Sequence, residues 1–311
     1  MLPFGKRKQT GLTAVCLYPG RMDLARVRYH EGWPRVEMLE SFERQGDDVQ
    51  ALTRLRKKFS LDRCACTTLA VQGDYQLLQV EAPNVGWEEM KAAVRWKIKD
   101  MIDFPVERAT VDVLDIPVSA SGNRGHSVFV VTARNDTLVP VIGLFDAAGV
   151  GLEIVDIPEL AQRNLAALCE EKDRGLALLC LDEAGGLLTF TYRGELYMVR
   201  RVEIGMSQLV EAGEERRAQL LERVGLELQR SLDNFDRQYS FIPLSKLLLS
   251  PGSAATMLCS FLGDYLSMPV EVMDLAAVMD IGGIPGLDQV ARQAQCLPTL
   301  GAALRPQGGT P

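Results

Sequence analysis

The sequence predicts an α/β protein built from two related domains, and two observations lead to this prediction. First, the apolar segment GLTAVCL at residues 11–17 returns almost letter for letter as GLALLCL at residues 175–181. Second, a chain of 311 residues is long enough to form two hydrophobic cores. Because the repeated segments lie about half a chain apart, they indicate a duplicated domain. A solenoid or propeller would repeat every few tens of residues.

Each repeated segment opens a predicted meander of three strands. Residues 11–42 read GLTAVCL-YPGR-MDLARVRY-HEGW-PRVEMLESF, and residues 175–202 read GLALLCL-DEAGG-LLTFTY-RG-ELYMVRRV. Short apolar or alternating runs separated by tight turn residues are typical of hairpin-connected strands. We therefore expect the two meanders to be equivalent, to lie in separate sheets and to face one cleft.

The rest of the first half alternates strands and helices. A charged helix at residues 48–59 ends in three basic residues, which suit the C-terminal end of a helix dipole. A second amphipathic helix is predicted at about residues 86–103, and one face carries Trp87, Met90, Val94, Ile98 and Met101. Packing against a sheet explains this apolar stripe, and contact with an anionic membrane surface is the alternative. The other elements are strands at 67–71, 76–81, 110–116, 127–133 and 152–155, and helices at 137–148 and 158–169.

The second half repeats this order after its meander. The predicted elements are a long amphipathic helix at about 214–235, a strand at 246–249, a helix at 254–266, a strand at 270–273 and a helix at 287–304. Each half thus reads as a meander, a helix, a strand, a helix, a strand and a helix. We predict a first domain at 1–169 that carries an inserted subdomain at about 76–147. A second domain at 174–304 and a flexible Gly/Pro-rich tail at 305–311 follow.

Composition limits the classes of function. A formal charge of -7 argues against nucleic-acid binding, which needs a basic footprint. The basic opening MLPFGKRK is not followed by an apolar segment, and no stretch approaches the length of a membrane span, so a cytoplasmic protein is expected. Seven cysteines, an odd number, suggest reduced thiols. Cys64 and Cys66 form a lone C-x-C without a second pair, so no metal site is predicted.

The order of elements resembles the duplicated ribonuclease-H-like fold of actin, sugar kinases and the bacterial actin-like proteins. Within that superfamily, AVRWKIKDMIDFPVERATVDVLDI at residues 93–116 resembles the diagnostic segment of the PilM family of type IV pilus assembly proteins. Four further segments resemble other landmarks of that family: VDIPELAQRNLA at 155–166, ELQRSLDNF at 227–235, LLLSPGSAATM at 247–257 and LPTLGAALR at 297–305. The basic opening is also similar. The resemblance covers essentially the whole chain.

Among PilM relatives, the shorter MshI group, which serves mannose-sensitive pilus systems, looks nearest. The family usually carries a longer helical insertion where this chain has residues 205–214, so the outer subdomain of the second domain is expected to be reduced. In the first domain the resemblance implies that the insertion is a small β-α-β-β subdomain.

The resemblance also implies a nucleotide cleft between the domains, and the residues here depart from its pattern. In the superfamily, an aspartate in each first hairpin holds hydrated magnesium, and a glycine lets backbone amides approach phosphate. Cys16 and Cys180 occupy the two aspartate positions, while Tyr18 and Asp182 occupy the glycine positions. No bound ATP or magnesium and no ATPase activity are therefore expected.

Six residues of a vestigial nucleotide cleft can still be assigned. They are Gly20, Asp182, Gly185, Gly186, Gly252 and Ser253, the last two from the turn Pro251-Gly252-Ser253 that stands where the superfamily has a G-G-G-like turn. The glycines are also what tight hairpins require, and Asp182 with Glu183 fits a solvated turn as well as a shifted metal site. No catalytic residue is predicted, because the two histidines, His30 and His126, fall in or beside predicted turns and no common catalytic motif is present.

The function implied by the resemblance is that of a cytoplasmic scaffold in an MSHA-like type IV pilus assembly platform. Such a protein binds the N-terminal cytoplasmic tail of a PilN-like inner-membrane protein, in a groove between the first core and its inserted subdomain. It meets other platform proteins and reaches the inner membrane through these partners. Two alternatives are an active actin-like ATPase with unusual site residues, and a type II secretion or cell-division component with a different membrane partner.

Overall fold

A computed structural model of the protein describes residues 12–118, 125–183 and 185–306. The basic opening and most of the predicted tail therefore lie outside the described residues. Packing divides the described chain into two compact units. The first comprises residues 12–24, 40–157 and 306, and the second comprises residues 25–39 and 158–305.

The strands and helices follow the predicted order along the chain. The strands are β1 (Leu12–Tyr18), β2 (Arg21–His30), β3 (Trp33–Glu43), β4 (Ala65–Leu69), β5 (Tyr75–Glu81), β6 (Ala109–Asp115), β7 (Ser127–Arg134), β8 (Leu152–Asp156), β9 (Gly175–Leu181), β10 (Gly186–Tyr192), β11 (Glu195–Val202), β12 (Leu244–Leu249) and β13 (Val270–Val272). The helices are α1 (Asp48–Phe59), α2 (Trp87–Ile98), α3 (Asn135–Ala148), α4 (Pro158–Cys169), α5 (Met206–Glu211), α6 (Glu214–Gln238), α7 (Ala255–Tyr265) and α8 (Val290–Ala303).

Two five-stranded sheets with the same strand order confirm the predicted duplication. Across the first sheet the order is β3-β2-β1-β4-β8, and across the second it is β11-β10-β9-β12-β13. In each sheet the opening strand of the meander pairs in parallel with the next strand along the chain, β1 with β4 and β9 with β12. The meanders lie in separate sheets, as predicted. That they face one cleft stays a prediction.

Burial follows the position of each strand. The central strands β1 and β9 are almost continuously apolar, and nearly all of their residues are buried or half-buried. This is the pattern of strands covered on both faces. Strand β3 lies at an edge of the first sheet, and its first residues alternate between exposed and buried. The repeated segments, LTAVCL at residues 12–17 and GLALLCL at residues 175–181, therefore mark the centre of each sheet.

The predicted β-α-β-β insertion is confirmed as β5, α2, β6 and β7. Its three strands form a separate antiparallel sheet in the order β5-β7-β6. The helix α2 packs Met90, Val94 and Ile98 into a core on one face of this sheet. The wider predicted stripe was wrong at its ends. Trp87 stands at the first residue of α2 and Met101 beyond its last, and about half of each side chain is exposed.

Two helices pack differently from the predicted domain limits. Helix α3, most of which the prediction counted with the insertion, contacts α1 and β8 of the first core as well as β7 of the inserted sheet. Arg56 of α1 lies so close to Gly149 that a Cβ there would come within 2.2 Å of its guanidinium. Helix α4 contacts β9, β10, β11 and α8, so packing places it with the second unit, whereas the prediction counted it with the first domain.

The packing of α4 on α8 brings two of the family-like segments together. A Cβ at Gly301 would lie 2.3 Å from the backbone oxygen of Ala161, so only glycine fits at this crossing. The Asn164 side chain donates a hydrogen bond of 2.9 Å to the Gly301 carbonyl. VDIPELAQRNLA and LPTLGAALR are thus two sides of one helix contact.

Between β11 and α6 the chain forms a single short helix, α5. The prediction placed a reduced outer subdomain in this segment and named no helix there. Arg217 of α6 donates to the backbone oxygens of Leu209, Val210 and Ala212, which satisfies carbonyls at the C-terminal end of α5. Helix α5 is therefore held by the first turns of α6.

Candidate functional site

The first unit contains a groove on the face of the inserted sheet that α2 leaves uncovered. In the register of β6 and β7, Thr110 pairs with Ala133, and Asp112 pairs with Val131. Because side chains alternate between the two faces of a strand, these four residues lie opposite the α2-packed face. All four line the groove. The inserted sheet thus packs its own core on one face and lines the groove with the other.

The remaining lining comes from the first five-stranded sheet and the residues that follow its strands, from the start of β5 in the inserted sheet, and from α3. These residues are Leu17, Thr68, Leu69, Ala70, Val71, Asp74, Tyr75, Thr137, Leu138, Val141, Ile142, Glu153, Val155 and Ile157. The cavity has a volume of about 330 Å³. Most of the lining side chains are apolar, and Val71 and Ile142 are 49% and 38% exposed. A preformed concave surface of this kind suits an apolar ligand oriented by a few polar groups.

The charged side chains in the groove are all acidic. Asp112 forms an ion pair with Lys91 of α2, at 2.7 Å between Nζ and Oδ1. Asp74 and Glu153 also line the groove, and neither forms an ion pair with a residue that the structure describes. No lysine, arginine or histidine is among the lining residues within the described ranges. The groove therefore combines apolar walls with uncompensated negative charge.

The second unit places Asp182, Gly185 and Gly186 in the hairpin between β9 and β10. The Asp182 carboxylate accepts a hydrogen bond of 2.8 Å from the Gly185 amide, and the Asp182 amide donates to the Gly185 carbonyl at 2.9 Å. A Cβ on Gly186 would lie 2.7 Å from the Leu181 side chain. These contacts give the three residues a turn-forming role. The neighbouring carboxylate of Glu183 bonds to the Ser207 hydroxyl.

The turn between β12 and α7 lies beside that hairpin. The Met206 side chain packs on Gly252, where an added Cβ would come within 2.5 Å of its terminal methyl group. The Met206 amide donates to the Asp182 carbonyl at 2.8 Å, and the Ser250 hydroxyl accepts from the Leu181 amide at 3.3 Å. The structure thus brings Asp182 and Gly252 together around a methionine. Ser253 is exposed in the same turn.

The cysteines at the predicted aspartate positions are poor magnesium ligands. Burial raises the pKa of the Cys180 thiol to about 12, so the thiol stays protonated at neutral pH. Cys16 is fully buried in the first unit. Magnesium prefers carboxylate and water oxygens, which neither thiol supplies. The residues present at these positions do not fit Mg-ATP.

Tyr18 and Gly20 lie at the first hairpin of the first unit. The guanidinium of Arg21 stands 4.5 Å from the centre of the Tyr18 ring. Gly20 has a φ of +75°, in the left-handed region, and its carbonyl accepts from the Arg44 amide at 2.9 Å. The backbone conformation of this turn therefore favours glycine, independently of any ligand.

Three further sequence expectations concern metal sites, membrane-spanning helices and catalytic histidines. Among the described residues, no group of three or more histidine, cysteine, aspartate or glutamate side chains is arranged to hold a metal ion. Across the same part of the chain, no helix has both the length and the apolar character needed to cross a membrane. His30 is exposed near Glu37, and His126 is half-exposed beside Asp115. Neither histidine lines the groove.

The fold is the duplicated actin-like fold that the sequence predicts, with a β-α-β-β insertion in its first copy. A chain from the PilM–PilN type IV pilus biogenesis complex has this architecture throughout: the similarity covers 97% of the present chain and 99% of that chain, with a TM-score of 0.73 and 20% sequence identity. No protein-family model matches the chain, and no curated protein matches it significantly.

Two other solved structures are similar at lower scores. One is a Bacteroides thetaiotaomicron protein with an actin-like ATPase fold and unknown function, with a TM-score of 0.48, 12% identity, and coverage of 90% of this chain and 96% of that chain. The other is the cytoplasmic domain of EpsL, an inner-membrane component of the Vibrio cholerae type II secretion system. Its TM-score is 0.42 at 17% identity, covering 66% of this chain and 76% of that chain.

Sequence reasoning assigned site residues to the hairpin turns and named no side chain of the groove. The strand β6 carried a signal that was not used. Its sequence ATVDVLD alternates, with Val111 and Val113 packing on α2, and Thr110 and Asp112 on the other face. The alternation predicts a strand with one buried apolar face. In the structure the polar face is also partly covered, and it forms a second contact surface.

Proposed function

We propose that this chain is a cytoplasmic scaffold of a type IV pilus assembly platform. Its groove binds the N-terminal cytoplasmic tail of a PilN-like inner-membrane protein, and through that partner the chain is held at the inner membrane. The observation that carries the proposal is the apolar groove of about 330 Å³ between the first core and its insertion. The likeness to a chain of the PilM–PilN complex over nearly the whole length of both chains also supports it.

The groove has the chemistry of a peptide site. Leu17, Val141 and Val155 come from three different elements and offer contacts for apolar side chains of an extended segment. The walls are regular strands and a helix, so the groove exists before the ligand arrives. Preformed walls lower the ordering cost of binding, since only the tail has to be ordered.

We further propose that the platform is an MSHA-like pilus system and that the chain is of the MshI type. The segment between β11 and α6 supports this, because it holds only the six-residue α5 where PilM relatives carry a longer insertion. Other platform proteins bind surfaces outside the groove in this proposal.

The scaffold does not use ATP in this proposal. Three features of the predicted nucleotide positions support a degenerate site. The Cys180 thiol is neutral, Pro251 has no amide to donate, and Met206 packs on Gly252. Phosphoryl transfer depends on positioning and on charge stabilisation by metal ions, and these residues supply neither.

Binding of a synthetic peptide tests the proposal. The peptide is the N-terminal cytoplasmic tail of the PilN-like protein of the same organism, titrated into the purified chain by isothermal calorimetry. We expect micromolar binding that Val141→Arg weakens by at least about thirtyfold, because a charged side chain then fills an apolar groove. Val139→Arg is the matched control, since Val139 lies on the same helix, is 61% exposed and does not line the groove.

The two variants distinguish binding in the groove from binding elsewhere on the chain. Binding lost with Val141→Arg and kept with Val139→Arg supports the groove. No binding by the wild-type chain, or equal binding by both variants, contradicts the proposal.

A further inference from the structure

One polar side chain in the groove is buried without a hydrogen-bond partner among the described residues. Thr68, on β4, is 1% exposed and lines the groove. Its Oγ1 atom makes no hydrogen bond with any residue that the structure describes. Buried hydroxyls are usually paired, because an unpaired one loses its hydrogen bonds to water on folding. Because Thr68 also lines the groove, this hydroxyl is available to form a hydrogen bond with a bound ligand.

The other threonines of the groove differ from Thr68. The Thr110 hydroxyl donates to Asn135 Oδ1 at 2.8 Å, and the Thr137 hydroxyl donates to the Arg134 carbonyl at 3.0 Å. Both are satisfied within the protein. Thr68 is thus the lining threonine whose hydrogen-bonding capacity is left for a ligand.

The negative charge of the groove points to the character of the ligand. Asp112 is compensated by Lys91, whereas Asp74 and Glu153 have no ion-pair partner among the described residues. Carboxylates beside apolar walls attract a cation and repel an acidic segment. If the bound ligand were purely apolar, the carboxylates of Asp74 and Glu153 would lie beside it without a positive charge to pair with.

We propose that the groove selects an extended peptide segment that hydrogen-bonds to Thr68 through its backbone and carries a positive charge held by Asp74 and Glu153. The positive charge is a lysine or arginine side chain or a free α-amino group, flanked by apolar residues. This inference rests on the proposed function, and it adds the polar contacts that decide which tail is accepted.

Thr68→Val tests the buried contact with almost no change in shape. The unfolding midpoint of the free protein stays the same or rises, because the variant removes an unpaired buried hydroxyl. Its affinity for the tail peptide falls about tenfold, because a peptide group then loses its partner on burial. Thr67→Val is the matched control. Thr67 is also fully buried without a hydroxyl partner among the described residues, but it does not line the groove, so tail affinity should not change.

The double variant Asp74→Asn, Glu153→Gln tests the charge. Tail affinity falls about three- to tenfold at low salt, and raising NaCl from about 0.05 to about 0.5 M weakens its binding less than that of the wild type. The control is Glu107→Gln with Asp146→Asn, which removes the same charge outside the groove. If the cation is a side chain, a tail peptide with its lysines and arginines replaced by glutamine should bind the wild-type chain as weakly as the unmodified tail binds the double variant. If the cation is the α-amino group, acetylating that group should weaken binding to the same extent.

These results distinguish the inference from the proposed function. If the tail binds and Val141→Arg abolishes binding, but Thr68→Val and the double variant bind like the wild type, the inference is overturned and the scaffold proposal stands. If the wild-type chain does not bind the tail, both are overturned. Loss of affinity in Thr68→Val and in the double variant, with both controls unchanged, supports the inference.

Discussion

The two sheets share one strand order, but the chain leaves their fourth strands in different ways. After β4 it forms the inserted sheet and α2 before reaching α3, whereas after β12 it makes a short turn at residues 250–254 and enters α7. The first connection borders an apolar groove, and the second is closed by Met206 packed on Gly252. Ligand sites in α/β proteins commonly lie at the carboxyl ends of strands. The connection that follows the fourth strand, and not the sheet itself, therefore determines whether the carboxyl end of the sheet borders an open groove.

The largest effect is expected from truncating the core of the insertion. Ile98→Ala removes a fully buried side chain from α2 and should cost about 2–5 kcal/mol. Since this core is separate from the five-stranded sheet, amide hydrogen exchange should accelerate by about thirtyfold or more within β5, α2, β6 and β7. Leu52→Ala, in the fully buried face of α1, is the control and should accelerate exchange in the first core instead. Uniform acceleration across both regions by Ile98→Ala would show that the insertion is not a separate unit.

A smaller effect is expected at the closed turn of the second sheet. Gly252→Ala meets only the flexible end of Met206, so its free energy of unfolding should stay within about 1 kcal/mol of the wild type. Gly301→Ala is the matched comparison, because its Cβ would meet the Ala161 backbone, and it should cost about 3 kcal/mol or more. Urea denaturation measures both variants. A large loss in Gly252→Ala would mean that the turn is constrained by more than the methionine.

The smallest effect is expected from nucleotide. Calorimetric titration of the purified chain with Mg-ATP should give no measurable binding at micromolar concentrations, because the Cys180 thiol is neutral and Met206 occupies the space at Gly252. Micromolar binding that is lost in Asp182→Asn or Gly252→Ala would contradict the degenerate site. It would show that the short turn of the second sheet holds a ligand after all.

Local sequence patterns predicted the fold well where the relevant contacts are local. Helices α1 and α4 begin and end at the predicted residues, and the repeated segments LTAVCL (residues 12–17) and GLALLCL (residues 175–181) form the equivalent central strands. The end of α2 was placed too late, since the apolar spacing at Met101 continues past the last helical residue. The short α5 carries too few turns to show a clear period.

The site was harder to predict because its residues are distant in sequence. Leu17, Thr68, Val131 and Val155 lie on four different strands and meet only in the folded chain. The periodicity of apolar residues shows which face of a strand is buried, but it does not show which other element packs against that face. The contact between Met206 and Gly252 is of the same kind. The sequence analysis named Gly252 as a turn glycine and did not single out Met206.

Amide hydrogen exchange with and without the tail peptide shows directly whether the partner binds in the groove of the first unit. We expect the peptide to slow exchange in β6, β7, α3 and the residues that follow β4, and to leave exchange unchanged in the turn at residues 250–254. Slower exchange in that turn, together with unchanged exchange around the groove, would show that the partner binds elsewhere.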